Sequence, residues 1–125
     1  MRFLLLVQAY WKLIVFNRCV RKRNFQDLYG RVRSHPLRGK PAPLPSVEDV
    51  CRAVDLACIW FWRQAMCLER SAATACLLRQ YGIPAQLVIG GQQMPFRAHA
   101  WVEVGGAIVN DKPYLREMYT VLDQC

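Results

Sequence analysis

Residues 67–111 read CLERSAATACLLRQYGIPAQLVIGGQQMPFRAHAWVEVGGAIVND. In this stretch Cys67 opens a helix of small residues, His99 lies on an alternating strand, and Asn110-Asp111 follows a Gly-Gly turn. A reactive thiol needs a base within hydrogen-bond reach and a third group that orients the base. The order of these residues therefore indicates nucleophilic catalysis at Cys67, with His99 as the base.

The periodicity of this stretch predicts a helix followed by a small sheet. Small residues at 72, 73, 75 and 76 allow a helix over Cys67–Tyr81 to lie close to a sheet, and Gly82 provides its C-terminal stop. A β-rich run over 85–89 is closed by Gly90-Gly91. Residues 97–104 then alternate, which places His99, Trp101 and Glu103 on one face of a strand.

The hairpin after this strand raises a question of register. If Gly105-Gly106 is a two-residue turn, Trp101 lies opposite Asn110, and Asp111 falls on the face away from His99. A three-residue loop or a bulge would instead bring Asp111 toward His99. We therefore predict an irregularity in this hairpin, and both Asn110 and Asp111 remain candidate orienters of the imidazole.

Upstream, the patterns predict two helices over 3–16 and 18–32 and an extended, proline-rich connector over 35–45. Ser46 and Asp49 form a capping-box pattern before a helix over 46–64. A last strand is predicted over 119–122. The expected fold class is α+β, with helices followed by a small antiparallel sheet.

The net charge of +8 is concentrated at the N-terminal end of the chain. Residues 1–45 contain ten Lys or Arg against a single acid, Asp27, whereas residues 46–125 contain seven basic residues against eight acids. We expect one compact unit made of a basic helical arm with its connector (1–45) and a catalytic domain (46–125). Such an arm could bind nucleic acid, an anionic membrane or an acidic protein. The alternative is that it is only a basic surface exposed to solvent. Nucleic acid has the weaker support because no recognised binding motif accompanies the charge.

The six cysteines show neither a C-x-x-C motif nor a tight metal-ligand cluster, so neither a metal nor another cofactor is expected. Most of these thiols suit small apolar core positions, and a reducing cytoplasm is the expected compartment. The apolar start at 3–7 imitates a signal peptide, but no small-residue cleavage site follows and the run is short for a membrane span. A helix packed on the domain is favoured, with an interfacial membrane helix as the alternative.

Five segments resemble one known family, and together they cover about residues 50–122. They are Cys67-Leu68-Glu69-Arg70-Ser71, Gly82-Ile83-Pro84-Ala85, Leu87-Val88-Ile89-Gly90, Phe96-Arg97-Ala98-His99-Ala100-Trp101-Val102-Glu103 and Asn110-Asp111. The family is that of the transglutaminase-like leader peptidases of lasso-peptide biosynthesis. The resemblance implies a papain-related fold and a Cys-His-Asp triad, carried here by Cys67, His99 and Asp111.

That resemblance also implies the reaction and the partners. The enzyme would cleave the leader peptide from a ribosomally made precursor, with the backbone N–H of Cys67 contributing to an oxyanion hole. Residues ahead of Cys67 leave no room for a recognition domain of roughly eighty residues, so the split form of the family is expected. It needs a separate leader-recognition protein, docked through residues 1–45, and works beside an ATP-using macrolactam cyclase.

Two other classes of function fit the same residues. A transglutaminase or another acyltransferase would use the same triad but transfer the acyl group to an amine. A non-catalytic peptide-binding module would keep the groove without a reactive thiol. The mass of the product and the alkylation of Cys67 at neutral pH distinguish these alternatives.

Overall fold

The computed structural model describes residues 2–37, 45–61, 67–92 and 97–125, and it confirms the α+β class. The helices are α1 (Arg2–Arg21), α2 (Phe25–Ser34), α3 (Val47–Trp60), α4 (Cys67–Gln80) and α5 (Leu115–Met118). The strands are β1 (Ala85–Gln92), β2 (Arg97–Val104), β3 (Ala107–Ile108) and β4 (Thr120–Gln124). Most of the predicted connector, the predicted helix end at 62–64 and the loop at 93–96 lie outside the described residues.

The helices pack on each other and on one face of the sheet. Helix α1 contacts α3 and α4, and α4 contacts β1 and β2. Along α1 the side chains of Leu5, Ala9, Leu13 and Phe16 are buried at the helical spacing expected for one core-facing stripe. The first helix therefore forms part of the same core as the residues after 46, while the predicted division at residue 45 stays a prediction.

The predicted break between the first two helices was wrong. Helix α1 continues to Arg21, because Lys and Arg are good helix formers and nothing near residue 17 stops a helix. The turn comes instead at Arg23, which has a left-handed φ of 55°. Asn24 then caps α2 by accepting a hydrogen bond from the backbone N–H of Asp27 at 3.2 Å.

The greater length of α1 also corrects the expectation that the apolar N-terminal segment is too short to span a membrane. Residues Phe3–Arg21, with a mean hydropathy of 1.4, are long and apolar enough to cross one by length and composition. The buried core helix of a soluble protein passes the same test. The burial of one face against α3 and α4 favours the packed helix that the sequence predicted.

Two of the predicted helix signals are confirmed. Ser46 and Asp49 form a reciprocal capping box at the start of α3, each side chain bonding the backbone N–H of the other. Gly82 has a φ of 83° after the end of α4, a conformation that glycine adopts without strain. Together these signals fix where α3 begins and where α4 turns into β1.

The sheet has the strand order β3-β2-β1-β4 and is antiparallel throughout the described residues. Strand β1 does not end before Gly90-Gly91 as predicted but runs through both glycines, pairing Gly90 with His99. On the other side of β1 the register with β4 shifts between Ile89 and Gly90. Helices α1 to α4 form the main core with one face of this sheet. A smaller cluster of Val88, Trp101 and Leu115, the last from α5, covers the other face.

The irregularity that we predicted in the β2–β3 hairpin is absent from the turn. Gly105 and Gly106 form a two-residue loop with φ values of 59° and 84°, the signs required by a type I′ turn. The pairing of Glu103 with Ile108 keeps the two-residue register. Strand β3 is only two residues long, so the chain leaves the ladder before Asn110 and Asp111 and is no longer bound by strand alternation.

Candidate active site

Cys67 is the first residue of α4 and lines a cavity of about 230 Å³ together with His99. The rest of the lining is mostly apolar and comes from α2, α4, β1 and β2: Phe25, Tyr29, Leu68, Ile89, Ala98 and Ala100. The first backbone N–H groups of a helix have no intrahelical acceptor, and the helix dipole stabilises negative charge at this end. A thiolate at Cys67 would gain from both effects.

The other five cysteines lie in surroundings that suppress ionisation. Burial raises the pKa of Cys51 and of Cys76 to about 11. Burial is also the main cause that raises the pKa of Cys19, Cys58 and Cys125. These thiols are therefore protonated at neutral pH, which limits their reactivity as nucleophiles.

His99 and Asp111 are joined by a short hydrogen bond. His99 Nε2 lies 2.7 Å from Asp111 Oδ2, and both side chains are partly buried. Because an ionised carboxylate can only accept, this contact assigns the proton to Nε2 and leaves Nδ1 as the basic ring nitrogen. The imidazole is thus held in one tautomer and one orientation, which is the function of the third residue in a catalytic triad.

The surroundings of Asp111 favour its ionised form. Burial opposes the charge, but the hydrogen bonds from His99 and from the backbone N–H of Lys112, with the charges of His99 and Arg70, outweigh it and lower the pKa of Asp111. Arg70 Nη2 lies 3.6 Å from Asp111 Oδ2. Arg70 is three residues after Cys67 on α4, so the same helix that presents the thiol also places a cation beside the acid.

Asn110, the alternative orienter, is placed elsewhere. Its side-chain oxygen accepts a hydrogen bond from the backbone N–H of Val102 at 2.8 Å, and its Nδ2 donates to Ser71 Oγ at 3.0 Å. Ser71 in turn donates to the carbonyl of Ala100 at 3.1 Å. Asn110 therefore ties α4 to β2, and of the two adjacent residues it is Asp111 that contacts His99.

A buried polar network lies beside the imidazole on the outer face of the sheet. Glu103 is buried and accepts two hydrogen bonds from Arg116, at 2.6 and 2.8 Å, and one from the indole N–H of Trp101 at 2.9 Å. The bonds from Arg116 are the largest cause of a lowered pKa at Glu103. This network fixes the plane of the Trp101 ring, which is fully buried.

Aromatic rings then position the imidazole itself. Tyr119 stacks on His99 with ring centroids 5.7 Å apart and an interplanar angle of 25°, and Trp101 lies 6.3 Å from His99. Gly90 makes room for them: a Cβ there would lie 2.6 Å from Trp101 and 2.8 Å from Tyr119. The glycine that the sequence marked as a strand end is thus needed inside the strand.

The structure brings Cys67, His99 and Asp111 to one region, as the sequence predicted, but it adds residues that sequence reasoning missed. Arg70 could have been found from its spacing to Cys67 on the helix. The face shared by Glu103 and His99 was visible in the alternation of β2. No local pattern linked Glu103 to Arg116, because that contact depends on the short helix α5.

The chain belongs to the transglutaminase-like superfamily, whose family model matches residues 10–124. Those residues include all three members of the candidate triad. A curated relative is similar over a shorter stretch: the microcin J25-processing protein McjB of Escherichia coli is 45% identical over 56 residues. That stretch covers 45% of this chain and 27% of McjB.

The chain therefore aligns with only about a quarter of that relative's length. No solved structure matches the chain. These findings confirm the family resemblance that the sequence motifs indicated, which is to transglutaminase-like proteins that process lasso peptides.

Proposed function

We propose that this protein is a cysteine peptidase that removes the leader from a ribosomally made lasso-peptide precursor. The family, together with the similarity to a protein that processes microcin J25, a lasso peptide, supports a role in such a pathway. The observation that carries the catalytic part is the 2.7 Å contact of His99 with Asp111 beside a cavity that Cys67 also lines.

The proposed reaction is acyl transfer through a thioester. Cys67 Sγ attacks the scissile carbonyl and its proton passes to His99 Nδ1, which then protonates the leaving amine of the core peptide. Asp111 stabilises the imidazolium that forms between these steps. Water, deprotonated by His99, then attacks the thioester and releases the leader as a carboxylate together with the free thiol of Cys67.

Backbone geometry supports a place for the developing oxyanion. The backbone N–H of Cys67 is at the first position of α4, where it has no acceptor within the helix. It can donate a hydrogen bond to the oxyanion of the tetrahedral intermediate. The lining of the cavity is mostly apolar, so a bound peptide that displaced water from it would strengthen these electrostatic interactions.

The main test is cleavage of a lasso-peptide precursor, followed by mass spectrometry of the products, with and without the separate leader-recognition protein. We expect Cys67→Ala and His99→Ala to abolish cleavage with an unchanged circular dichroism spectrum. Cys58→Ala is the matched control, since it removes a thiol whose pKa is raised, and it should keep wild-type turnover. Cleavage by purified Cys67→Ala would refute the proposal.

Product mass and thiol labelling separate the other two functions. Gain of an added amine in place of water would identify an acyltransferase. Iodoacetamide at pH 7 should label Cys67 before the five thiols of raised pKa, and labelling would be slower in His99→Ala. An unreactive Cys67 in the wild-type protein would instead favour a peptide-binding module.

The partners proposed are the precursor leader, a separate leader-recognition protein and an ATP-using macrolactam cyclase, in the cytoplasm. Within residues 1–45, α2 borders the cavity through Phe25 and Tyr29, so it is the part of this segment that a bound leader would meet. Deleting residues 1–34 would not test docking, because α1 contributes to the core. Arg31→Gln with Arg33→Gln, both exposed on α2, should weaken retention of the recognition protein in a pull-down.

A further inference from the structure

An apolar surface of α1 and α3 contributes nothing to the cavity that Cys67 and His99 line. Its most exposed side chains are Phe3 (78% exposed) and Trp11 (66%) on α1, and Ile59 (73%) and Trp60 (74%) on α3. Leu4, Val7 and Leu56 add to it. We call these seven residues the α1–α3 surface. Contiguous apolar patches of this kind on soluble proteins mark sites of interaction.

Two shallow grooves join the exposed side chains into one surface. The first, of about 360 Å³, has Phe3, Leu6 and Leu56 in its lining, with the opposite charges of Asp49 and Arg52 beside them. The second, of about 290 Å³, has Leu6, Trp11 and Trp60. Leu6 lines both grooves, so the patch is continuous across the two helices. Its large aromatic side chains project from both rims.

The exposed line of α1 changes from apolar to basic along the helix. Leu4, Trp11 and Arg18 are seven residues apart, so they lie along one side of the helix axis. Lys22 follows directly after the end of α1, and its backbone N–H donates to the carbonyl of Arg18. All four are exposed. Helix α1 contains no acidic residue. Asp27 of α2 lines a cavity together with Arg18, Lys22 and Arg31, and it is bonded to Arg31, so positive charge is in excess there.

We propose that the α1–α3 surface binds an anionic membrane, with α1 lying in the plane of the interface. The apolar and tryptophan side chains would enter the boundary between headgroups and acyl chains, while Arg18 and Lys22 would contact anionic headgroups. The helix lies on the membrane and does not span it, because Leu5, Leu13 and Phe16 belong to the core shared with α3 and α4.

A lipid surface fits these observations better than a protein partner. A protein groove would have to accept exposed tryptophans from two helices and also present carboxylates to the cations at the far end of α1. A water–lipid boundary of negative charge meets the aromatic, aliphatic and basic groups at once. The active-site cavity shares none of its lining residues with the α1–α3 surface and would stay open to a peptide.

The test uses the full chain and extruded vesicles of phosphatidylcholine, alone or with a quarter phosphatidylglycerol, in a co-sedimentation assay. We expect the protein to bind the anionic vesicles, to bind them less tightly as the salt concentration rises, and to bind the neutral vesicles more weakly. Trp11→Ser with Trp60→Ser should lower the partition coefficient at least tenfold. Arg18→Gln with Lys22→Gln should lower it about thirtyfold on anionic vesicles.

Matched controls keep the test specific to this surface. Leu122→Ser removes an exposed apolar side chain from β4, and Arg33→Gln with Lys112→Gln removes two exposed cations elsewhere; both should bind as the wild type does. Circular dichroism verifies that each variant is folded. Cleavage and labelling of Cys67, measured without vesicles, report on the proposed peptidase independently.

Three results would overturn the inference. The first is wild-type protein that stays in the supernatant with anionic vesicles at low salt. The second is equal weakening by the control variants, or equal binding to neutral vesicles. The third is self-association: light scattering shows a wild-type dimer, and Trp11→Ser with Trp60→Ser converts it to a monomer. If that monomer binds vesicles as tightly as the wild type does, the surface serves dimer formation and not membrane binding.

Discussion

The two faces of the sheet are stabilised by different interactions. On the helix side, Ala100 and Val102 pack into the apolar core beneath α4. On the outer side, Trp101 and Glu103 form a buried polar and aromatic network next to His99. Alternate residues of one strand thus serve stability on one face and the positioning of the imidazole on the other. Substitutions on the two faces should separate stability from turnover.

The largest effect is expected at Asp111, the acid that contacts His99. Asp111→Asn keeps the size of the side chain but removes the charge that holds His99 Nε2 protonated and stabilises the imidazolium. We expect turnover to fall by about 10³- to 10⁴-fold, by analogy with the triad acids of other enzymes. The urea midpoint at pH 7 should fall only modestly, because the carboxylate that is lost has a lowered pKa in the folded protein. Single-turnover cleavage of the precursor measures the first quantity and tryptophan fluorescence the second.

Asn110→Ala is the matched control for that variant, because the two residues are adjacent but differ in their contacts. It leaves the N–H of Val102 without its side-chain acceptor and should lower the free energy of unfolding by about 1–3 kcal/mol. Its loss of turnover should be much smaller than that of Asp111→Asn. The reverse order would assign the orienting role to Asn110.

Gly90→Ala should connect packing on the outer face to turnover. The added Cβ would meet Trp101 at 2.6 Å and Tyr119 at 2.8 Å, and both rings contact His99. Displacing the imidazole by about 1 Å should reduce turnover on the order of a hundredfold, with a loss of stability of about 1–3 kcal/mol. Gly30→Ala, where a Cβ meets nothing within 4 Å, is the control. Unchanged turnover in folded Gly90→Ala would show that these rings do not position His99.

On the helix side, Val102→Ala should affect stability alone. The side chain is fully buried, so removing two methyl groups and leaving a cavity should lower the free energy of unfolding by about 2 kcal/mol. Turnover per folded molecule should stay within a factor of about two, since Val102 points away from His99. Urea denaturation and active-site titration measure the two quantities, and a large loss of turnover would contradict the separation of the faces.

The smallest effect is expected from Glu103→Gln, which should depend on pH. The carboxylate has a lowered pKa in the folded protein, so it adds stability above its unfolded pKa of about 4.3, and this contribution is lost as pH falls through the folded value. Because its partner Arg116 is exposed, we expect the free energy of unfolding of the variant to be lower than that of the wild type by only about 1 kcal/mol at pH 7. The urea midpoints of the wild type and the variant should differ at pH 7 and approach each other as the pH is lowered from 5 to 3. A difference that does not change with pH would contradict this role of the Glu103 charge.

Local signals predicted most of the fold. The capping box at Ser46, the stop at Gly82 and the alternation of β2 each act within a few residues, so the sequence showed them directly. The end of α1 depends on the single left-handed residue Arg23, for which arginine gives no signal. The passage of β1 through Gly90 depends on rings 11 and 29 residues further along the chain.

The site was predictable to a similar extent. Cys67 and His99 were proposed from their residue types and positions. The argument from register left the choice between Asn110 and Asp111 open, and only the family resemblance favoured Asp111. The choice between these two residues depended on where β3 ends. Strand register did not decide it, because β3 is only two residues long and the chain leaves the sheet before both residues. Arg116 and Tyr119 were missed because α5 is too short to have a periodic signal.

The Gly105-Gly106 turn makes the protein sensitive to the chirality of single residues. Both glycines have positive φ, and a Cβ at either position would meet nothing within 4 Å. An L-alanine there would strain the backbone, whereas a D-alanine, introduced by chemical ligation, would fit the same angles and restrict the denatured chain. We therefore expect the mirror-image residue to raise stability by about 0.4–1 kcal/mol where the natural enantiomer lowers it.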